Sequence, residues 1–321
     1  MGTSMLNHEA MAVVFEQPGR MAVRRVRLLP PSAGDCVVDL EWSGISTGTE
    51  RLLWDGRMPP FPGLGYPLVP GYESVGRVRS GGEQGRIPPG TRVFVPGSSG
   101  FADVRGLFGG AAQTLVVPAD RLVPLDDSLD QEAVLLALAA TAHHAVVAAG
   151  QGQWPDLVVG HGVLGRLVAR TVIALGGPPP TVWERAAERA SGGSGYRVVD
   201  PADDDRHDYR RICDVSGDPT LLDTLIERLA PGGRIILAGF YHEPLSFRFP
   251  AAFLREIEIR VAAEWQQPDL ERAVRLVRDG DLSLQGLVTH CQSAQAAGPA
   301  YRTAFGDPDC LKMIIDWRSA P

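Results

Sequence analysis

The stretch most clearly suited to chemistry runs from Asp156 to Arg170, DLVVGHGVLGRLVAR. An apolar strand leads into Gly160, Gly162 and Gly165 in GxGxxG spacing, and an amphipathic helix follows. Gly160 allows a tight turn, Gly162 lets the backbone approach a pyrophosphate, and Gly165 lets the helix pack on the strand. The amide groups of the helix N-terminus, beginning at Val163 and Leu164, then face the phosphates. Glu184 ends the next strand, 19 residues after Gly165. A carboxylate there accepts hydrogen bonds from ribose hydroxyls and repels a 2′-phosphate, which favours NAD; Arg185 beside it is able to pair with that phosphate, so NADP stays open. Loops at the ends of later strands are expected to complete the site through Ser216, Gly217, Gly239 and Phe240. The competing reading is a glycine-rich turn in an ordinary α/β domain.

Other chemistries are excluded by composition. Cys36, Cys213, Cys291 and Cys310 are scattered, so neither a CxxC zinc cluster nor a disulfide scaffold is present, and a reducing, cytoplasmic setting is expected. Lys312 is the single lysine and Met313 follows it, which rules out a P-loop ending in GK[ST]. Pro308 stands four residues before Lys312, so a YxxxK catalytic pair is impossible as well. A net charge of −7 offers no electrostatic footprint for nucleic acid or an anionic membrane. MGTSMLNHEAMAVVFEQ has neither the basic nor the apolar region of a secretory leader. The uncharged run from Ala133 to Gln153 has an apolar part shorter than the about 20 residues a bilayer span needs, and reads as a buried helix.

Two textures in the chain position these residues. Before about position 125, Gly- and Pro-rich segments such as MPPFPGLGYPLVPG separate short β-like runs at Met11 to Phe15, Cys36 to Trp42, Ser74 to Val78, Arg92 to Val95 and Thr114 to Val117. Many short strands joined by such turns predict an antiparallel, barrel-like domain. After Leu129 comes a helix over Gln131 to Ala149, and then strands at Leu157 to Val159, Thr181 to Trp183, Arg211 to Asp214 and Arg234 to Ala238. Helices over Val163 to Ala174, around Ala186, and over Leu221 to Leu229 alternate with them, which is a βαβ series with a parallel sheet. From about Pro268 the helix LERAVRLVRDG leads to a last strand, Leu311 to Asp316.

Taken in order, these elements resemble the medium-chain dehydrogenase/reductase family over nearly the whole chain. GISTGTE (Gly44 to Glu50) is similar to its first catalytic segment and VPGYESVGRV (Val69 to Val78) to its GHE segment. GTRVFV, GGAAQTLVVPADRLVPLDDSL, LAPGGRIILAGF and VTH match later landmarks. The resemblance implies an α/β protein with a GroES-like barrel catalytic domain over 1–128, an inserted doubly wound Rossmann domain over 129–267, and a return segment over 268–321 completing the first. Substrate is expected between the two domains. Thr141 matches the position that packs beside the nicotinamide. His290 matches a family position where a structural role is expected, and His161 is placed to touch only cofactor or loop. His143 and His144, being adjacent, are read as facing different ways. Many members dimerise through the edge of the cofactor sheet, so a homodimer is implied.

Glu41 to Val78, VRGLFGGAA and LLALAATAHHA resemble more closely one branch of the family, which acts on bacteriochlorophyllides. That implies NAD-dependent oxidation of a 3-(1-hydroxyethyl) group on a bacteriochlorophyllide or chlorophyllide to a 3-acetyl group, a step of bacteriochlorophyll biosynthesis. In zinc-dependent members a Cys, the GHE His and a further Cys or acid hold the metal. Here Ser46 or its neighbours, Tyr72 and Ala137 stand instead, and hydroxyls and phenols are poor zinc ligands at neutral pH, so no metal is expected. Tyr72 is then the first candidate for the base and Glu73 the second, with Ser46, Thr47 and Thr49 as proton relay. For Tyr72 the alternative is a merely space-filling role. A flat, apolar macrocycle calls for aromatic walls, and Trp42, Trp54, Phe61, Tyr66 and Phe108 lie in the loops that carry the resemblance. Two rivals remain: a zinc-independent NAD(P)H quinone or enoyl reductase of the same family, and a non-catalytic pigment- or redox-binding protein.

Overall fold

The computed structural model describes residues 9–81 and 87–319. The start of the segment read as lacking a secretory leader, residues 1–8, lies outside them. The chain divides into two compact units, one formed by residues 1–135 and 285–321 and the other by 136–284.

The first unit is largely antiparallel. Its larger sheet runs in the order His290–Ser293, Met313–Asp316, Asp35–Gly44, Ser74–Ser80, Arg92–Val95 and Val123–Pro124, with Thr114–Pro118 also paired to Asp35–Gly44. A smaller sheet joins Arg20–Arg27, Glu9–Gln17, Leu68–Val69 and Arg105–Gly106. Strand Asp35–Gly44 shows why this region folds as it does: Cys36, Val38, Leu40 and Trp42 alternate inward, the period-2 signature of a half-buried strand. Its end is held from both sides, with Ser43 opposite Ser74 and Gly44 opposite Ile314. Residues just beyond Gly44, just before Ser74 and just before Met313 are thereby brought to one place.

The second unit carries six parallel strands in the order Arg197–Val199, Thr181–Trp183, Leu157–Val159, Tyr209–Asp214, Leu229–Leu237 and Glu258–Val261. Counted along this unit the order is 3-2-1-4-5-6, the doubly wound arrangement of dinucleotide-binding domains. The fold class expected from the sequence is therefore present. Three expectations need correction. Around Ala186 there is only a one-turn 3₁₀ segment, Ala187–Arg189, where a helix was expected, because the glycine-rich SGGSG that follows cannot sustain one. The predicted helix Gln131 to Ala149 is a 3₁₀ segment, Gln131–Leu135, continuing into a helix over Leu136–Val147. Helix Gln267–Arg278, which the sequence reading gave to the return segment, belongs to the second unit, because it packs on helix Leu136–Val147. Among the described residues no helix is long and apolar enough to cross a membrane.

Candidate active site

At the carboxyl ends of the parallel strands, the fingerprint loop has the geometry its glycines require. Gly160 has φ +103°, and a Cβ on Gly165 would strike the Gly160 carbonyl. Gly162 opens helix Val163–Ala174, and a Cβ there would meet nothing within 4 Å, so its face is open for a ligand. Val163 is buried and Leu164 half-buried in the first turn. Glu184 is fixed by two backbone donors: the amide of His161 to Oε2 at 3.1 Å and that of Ala186 to Oε1 at 2.9 Å. Arg185 is 71% exposed and lies 3.4 Å from the Asp218 carboxylate.

Asp214, buried at the end of its strand, ties two further loops together. Its Oδ1 accepts from the Ser216 amide at 2.9 Å and the Ser216 hydroxyl at 2.7 Å, while its carbonyl accepts from the Gly239 amide at 3.0 Å. Burial pushes the Asp214 carboxyl up and the Ser216 donors pull it back. Phe240, next along, is exposed. The Thr141 hydroxyl donates to the Ala137 carbonyl at 3.0 Å within its own helix.

The histidines sort out clearly. His161 turns away from the open face of the loop: its Nδ1 donates to the Arg189 carbonyl at 2.6 Å and its Nε2 accepts from the Tyr196 hydroxyl at 2.9 Å. Burial lowers its pKa, which suits a neutral imidazole with one donor and one acceptor nitrogen. His143 and His144 were expected to face apart; instead both Nδ1 atoms reach the Asp269 carboxylate, at 2.7 and 2.9 Å. Asp269 also caps helix Gln267–Arg278 by accepting from the Gln266 amide.

In the first unit, the convergence of three chain segments beyond Gly44 builds a second cluster. Ser46 Oγ and the Tyr72 hydroxyl share a hydrogen bond of 2.8 Å, and Thr49 Oγ1 lies 3.5 Å from the same phenol oxygen. Thr47, between them in sequence, is exposed. Burial, and then the nearby Glu73 carboxylate, hold the Tyr72 phenol well above its ordinary range, so it stays protonated. Glu73 itself is 0% exposed and takes the Lys312 ammonium at 2.6 Å, the ammonium also donating to the Ile45 carbonyl at 3.2 Å. Its other oxygen is buried without a hydrogen-bond partner among the described residues. Glu50 accepts from the Ser46 amide at 2.8 Å and from the Tyr301 hydroxyl at 2.6 Å.

These side chains of the first unit do not suit a zinc ion: Ser46 is spent on Tyr72, and Tyr72 is a protonated phenol. Among the described residues no group of three or more His, Cys, Asp or Glu is placed to hold a metal.

The aromatic candidates divide. Phe108 meets Tyr72 edge-on at 5.4 Å and Phe61 meets Phe108 at 5.9 Å, so these two continue a row outward from the phenol. Trp54 packs edge-on against the core residue Phe15, and the Tyr66 hydroxyl donates to the Leu53 carbonyl. Trp42 is buried with the Arg92 and Arg318 guanidinium groups over its ring, at 5.1 and 4.7 Å.

Residues 32–127 match the alcohol dehydrogenase GroES-like domain. The chain is 54% identical over 313 residues to 2-desacetyl-2-hydroxyethyl bacteriochlorophyllide A dehydrogenase of Cereibacter sphaeroides, covering 96% of this chain and 98% of that one. It belongs to the medium-chain dehydrogenase/reductase family. A relative of the same name from Rhodobacter capsulatus is 51% identical, covering 97% and 99% of the two chains. Among solved structures, acetophenone reductase from Geotrichum candidum in complex with NAD superposes with a TM-score of 0.83 at 18% identity, covering 98% of each chain. As a member of this family the chain is an oxidoreductase with a nicotinamide-dinucleotide site.

Glu50, Tyr301, Lys312 and Asp214 were not among the sequence candidates. Glu50 closes the GISTGTE motif and was in view there. The others carried no local signal, since Tyr301 and Lys312 reach their partners across 251 and 239 positions of chain.

Proposed function

We propose that the protein oxidises the 3-(1-hydroxyethyl) side chain of a bacteriochlorophyllide, or of the related chlorophyllide, to the 3-acetyl group with NAD⁺ and without catalytic zinc. The observation that carries this reading is the 54% identity, over 96% of the chain, to a 2-desacetyl-2-hydroxyethyl bacteriochlorophyllide A dehydrogenase. NAD is favoured over NADP by Glu184, whose carboxylate is held by two amides where a ribose 2′-phosphate would have to sit. Arg185 is drawn toward Asp218, which offsets the charge otherwise able to greet that phosphate.

Bound NAD⁺ supplies the hydride acceptor. The chain's own residues handle the proton: Tyr72 accepts it from the alcohol while passing its own to Ser46 or to half-buried Thr49, from which water removes it. A ketone, NADH and a proton result. As hydride leaves, positive charge at the carbinol carbon spreads into the conjugated macrocycle, and this delocalisation takes over part of a Lewis acid's work. Phe61 and Phe108 would supply an aromatic wall for the ring, and Thr141 would contribute to the nicotinamide site of the second unit. We assign the protein to the cytoplasm. It pairs with a second copy through the sheet edge Glu258–Val261.

The test is to incubate metal-stripped protein with NAD⁺ and the hydroxyethyl-bacteriochlorophyllide and follow the absorption shift of the acetyl product. A shift at full rate is expected, together with a rate loss of about 10²–10⁴-fold in Tyr72→Phe, the usual weight of a positioned proton-transfer group. No shift under any metal condition sinks the activity, and a shift restored only by zinc sinks its metal-free half.

A further inference from the structure

Glu50 is the buried acid for which the site as described has no use. It stands in the first turn of helix Thr49–Asp55, is 1% exposed, and has no ion pair among the described residues. The one ammonium nearby, Lys312, is committed to Glu73 and the Ile45 carbonyl. Both Glu50 oxygens are used as acceptors, Oε1 by the Ser46 amide and Oε2 by the Tyr301 hydroxyl. Tyr301 comes from helix Ala297–Gly306, and its ring is locked edge-on against Phe15 and Phe305. A rigid donor from the return segment therefore grips one end of the carboxylate, and the other end grips the residue whose hydroxyl bonds Tyr72.

We propose that Glu50 is a positioning residue for the Ser46–Tyr72 pair: its carboxylate anchors Ser46, so the pair is set for proton transfer only while Glu50 is ionised. This rests on the proton-handling role given to that pair above. A proton on Oε1 sets donor against donor at the Ser46 amide, whereas a proton on Oε2 exchanges donor and acceptor with the Tyr301 hydroxyl and removes the charge that strengthens the Ser46 bond; either way the hold on Ser46 is weakened. The groups facing Glu50 are Tyr72 and Glu73 from the segment before Ser74, Lys312 from the segment before Met313, and Tyr301. Burial pushes the Glu50 carboxyl up from 4.5 to about 7, the Ser46 amide and the Tyr301 hydroxyl draw it back, Glu73 raises it and Lys312 lowers it. The change of charge thus falls near neutral pH.

The experiment is the pH profile of kcat/KM for the wild type, Glu50→Gln and Tyr301→Phe with NAD⁺ and the hydroxyethyl substrate. The wild type is expected to lose activity about tenfold per pH unit on the acid side of Glu50's titration. Glu50→Gln has a lower, flat profile. Tyr301→Phe moves the acid limb to higher pH, because a donor that favoured the carboxylate is gone. A Glu50→Gln limb in the wild-type position, or an unmoved limb in Tyr301→Phe, overturns the proposal.

Stability provides a readout free of substrate. Between pH 4.5 and about 7 the folded chain holds a proton on Glu50 that the unfolded chain has released. The stabilising contribution is complete below 4.5 and is lost as pH rises through about 7. Glu50→Gln removes that slope, and an unchanged slope also overturns the assignment. If instead Tyr72→Phe turns over at the wild-type rate, the role of the pair falls and this inference falls with it.

Discussion

Lys312 illustrates what a single residue contributes here. It is the only lysine of the chain, yet its side chain is 3% exposed and its charge is answered by one carboxylate oxygen and one carbonyl. Desolvating both partners opposes their attraction, so the intact pair is weak evidence of stability; breaking it is costly because it leaves Glu73 buried and uncompensated. Lys312→Met is expected to lower unfolding free energy by about 3–5 kcal/mol, and Lys312→Met combined with Glu73→Gln to recover much of that loss. Urea denaturation of the three proteins checks it, and a double variant no more stable than Lys312→Met would show that the loss is one of packing. In the sequence this lysine served only to exclude other chemistries. Its function depends on strand Met313–Asp316 lying against Gly44, a pairing that no local pattern announces.

Among the elements, those legible beforehand are those whose own residues specify them. The strand Leu157–Val159, the helix Val163–Ala174 and the strand Thr181–Trp183 fall where apolar runs, glycine spacing and helical periodicity place them. The helix expected around Ala186 is absent, and what stands there is held by a distant residue. Arg166, on the buried side of helix Val163–Ala174, donates to the carbonyls of His161, Arg189, Ser191 and Gly192 at 3.1, 3.2, 2.8 and 3.0 Å. One guanidinium fork thus replaces the ladder of a helix for the segment that flanks Glu184. Arg166→Met leaves those four carbonyls without this donor. Amide hydrogen exchange over residues 186–196 is expected to accelerate at least tenfold, with NAD⁺ affinity falling several-fold. Exchange as slow as in the wild type would mean that His161 and Tyr196 hold the loop alone.

At the scale of the whole molecule, the question is what covers the end of the parallel sheet. Among the described residues, strand Glu258–Val261 is paired on one side only, to Leu229–Leu237, and the helix before it presents Phe249, Phe253 and Leu254 to solvent. Leu254 is 78% exposed and Val261 71%, in a chain whose other large apolar side chains are mostly inside. An unpaired edge flanked by apolar surface invites a strand from another chain, and a two-fold axis lets the same edge serve both partners, joining two six-stranded sheets into one. The net charge of −7 opposes association at long range, so the contact must be carried by the apolar surface. Replacing Leu254 by Glu and Val261 by Lys places charge where that surface would close, and light scattering at micromolar concentration is expected to show a dimer become a monomer. Both substitutions lie outside the Ser46–Tyr72 cluster and the fingerprint loop, so the monomer should still bind NAD⁺. A wild type that is monomeric, or a doubly substituted protein that still sediments as a dimer, would place the contact elsewhere.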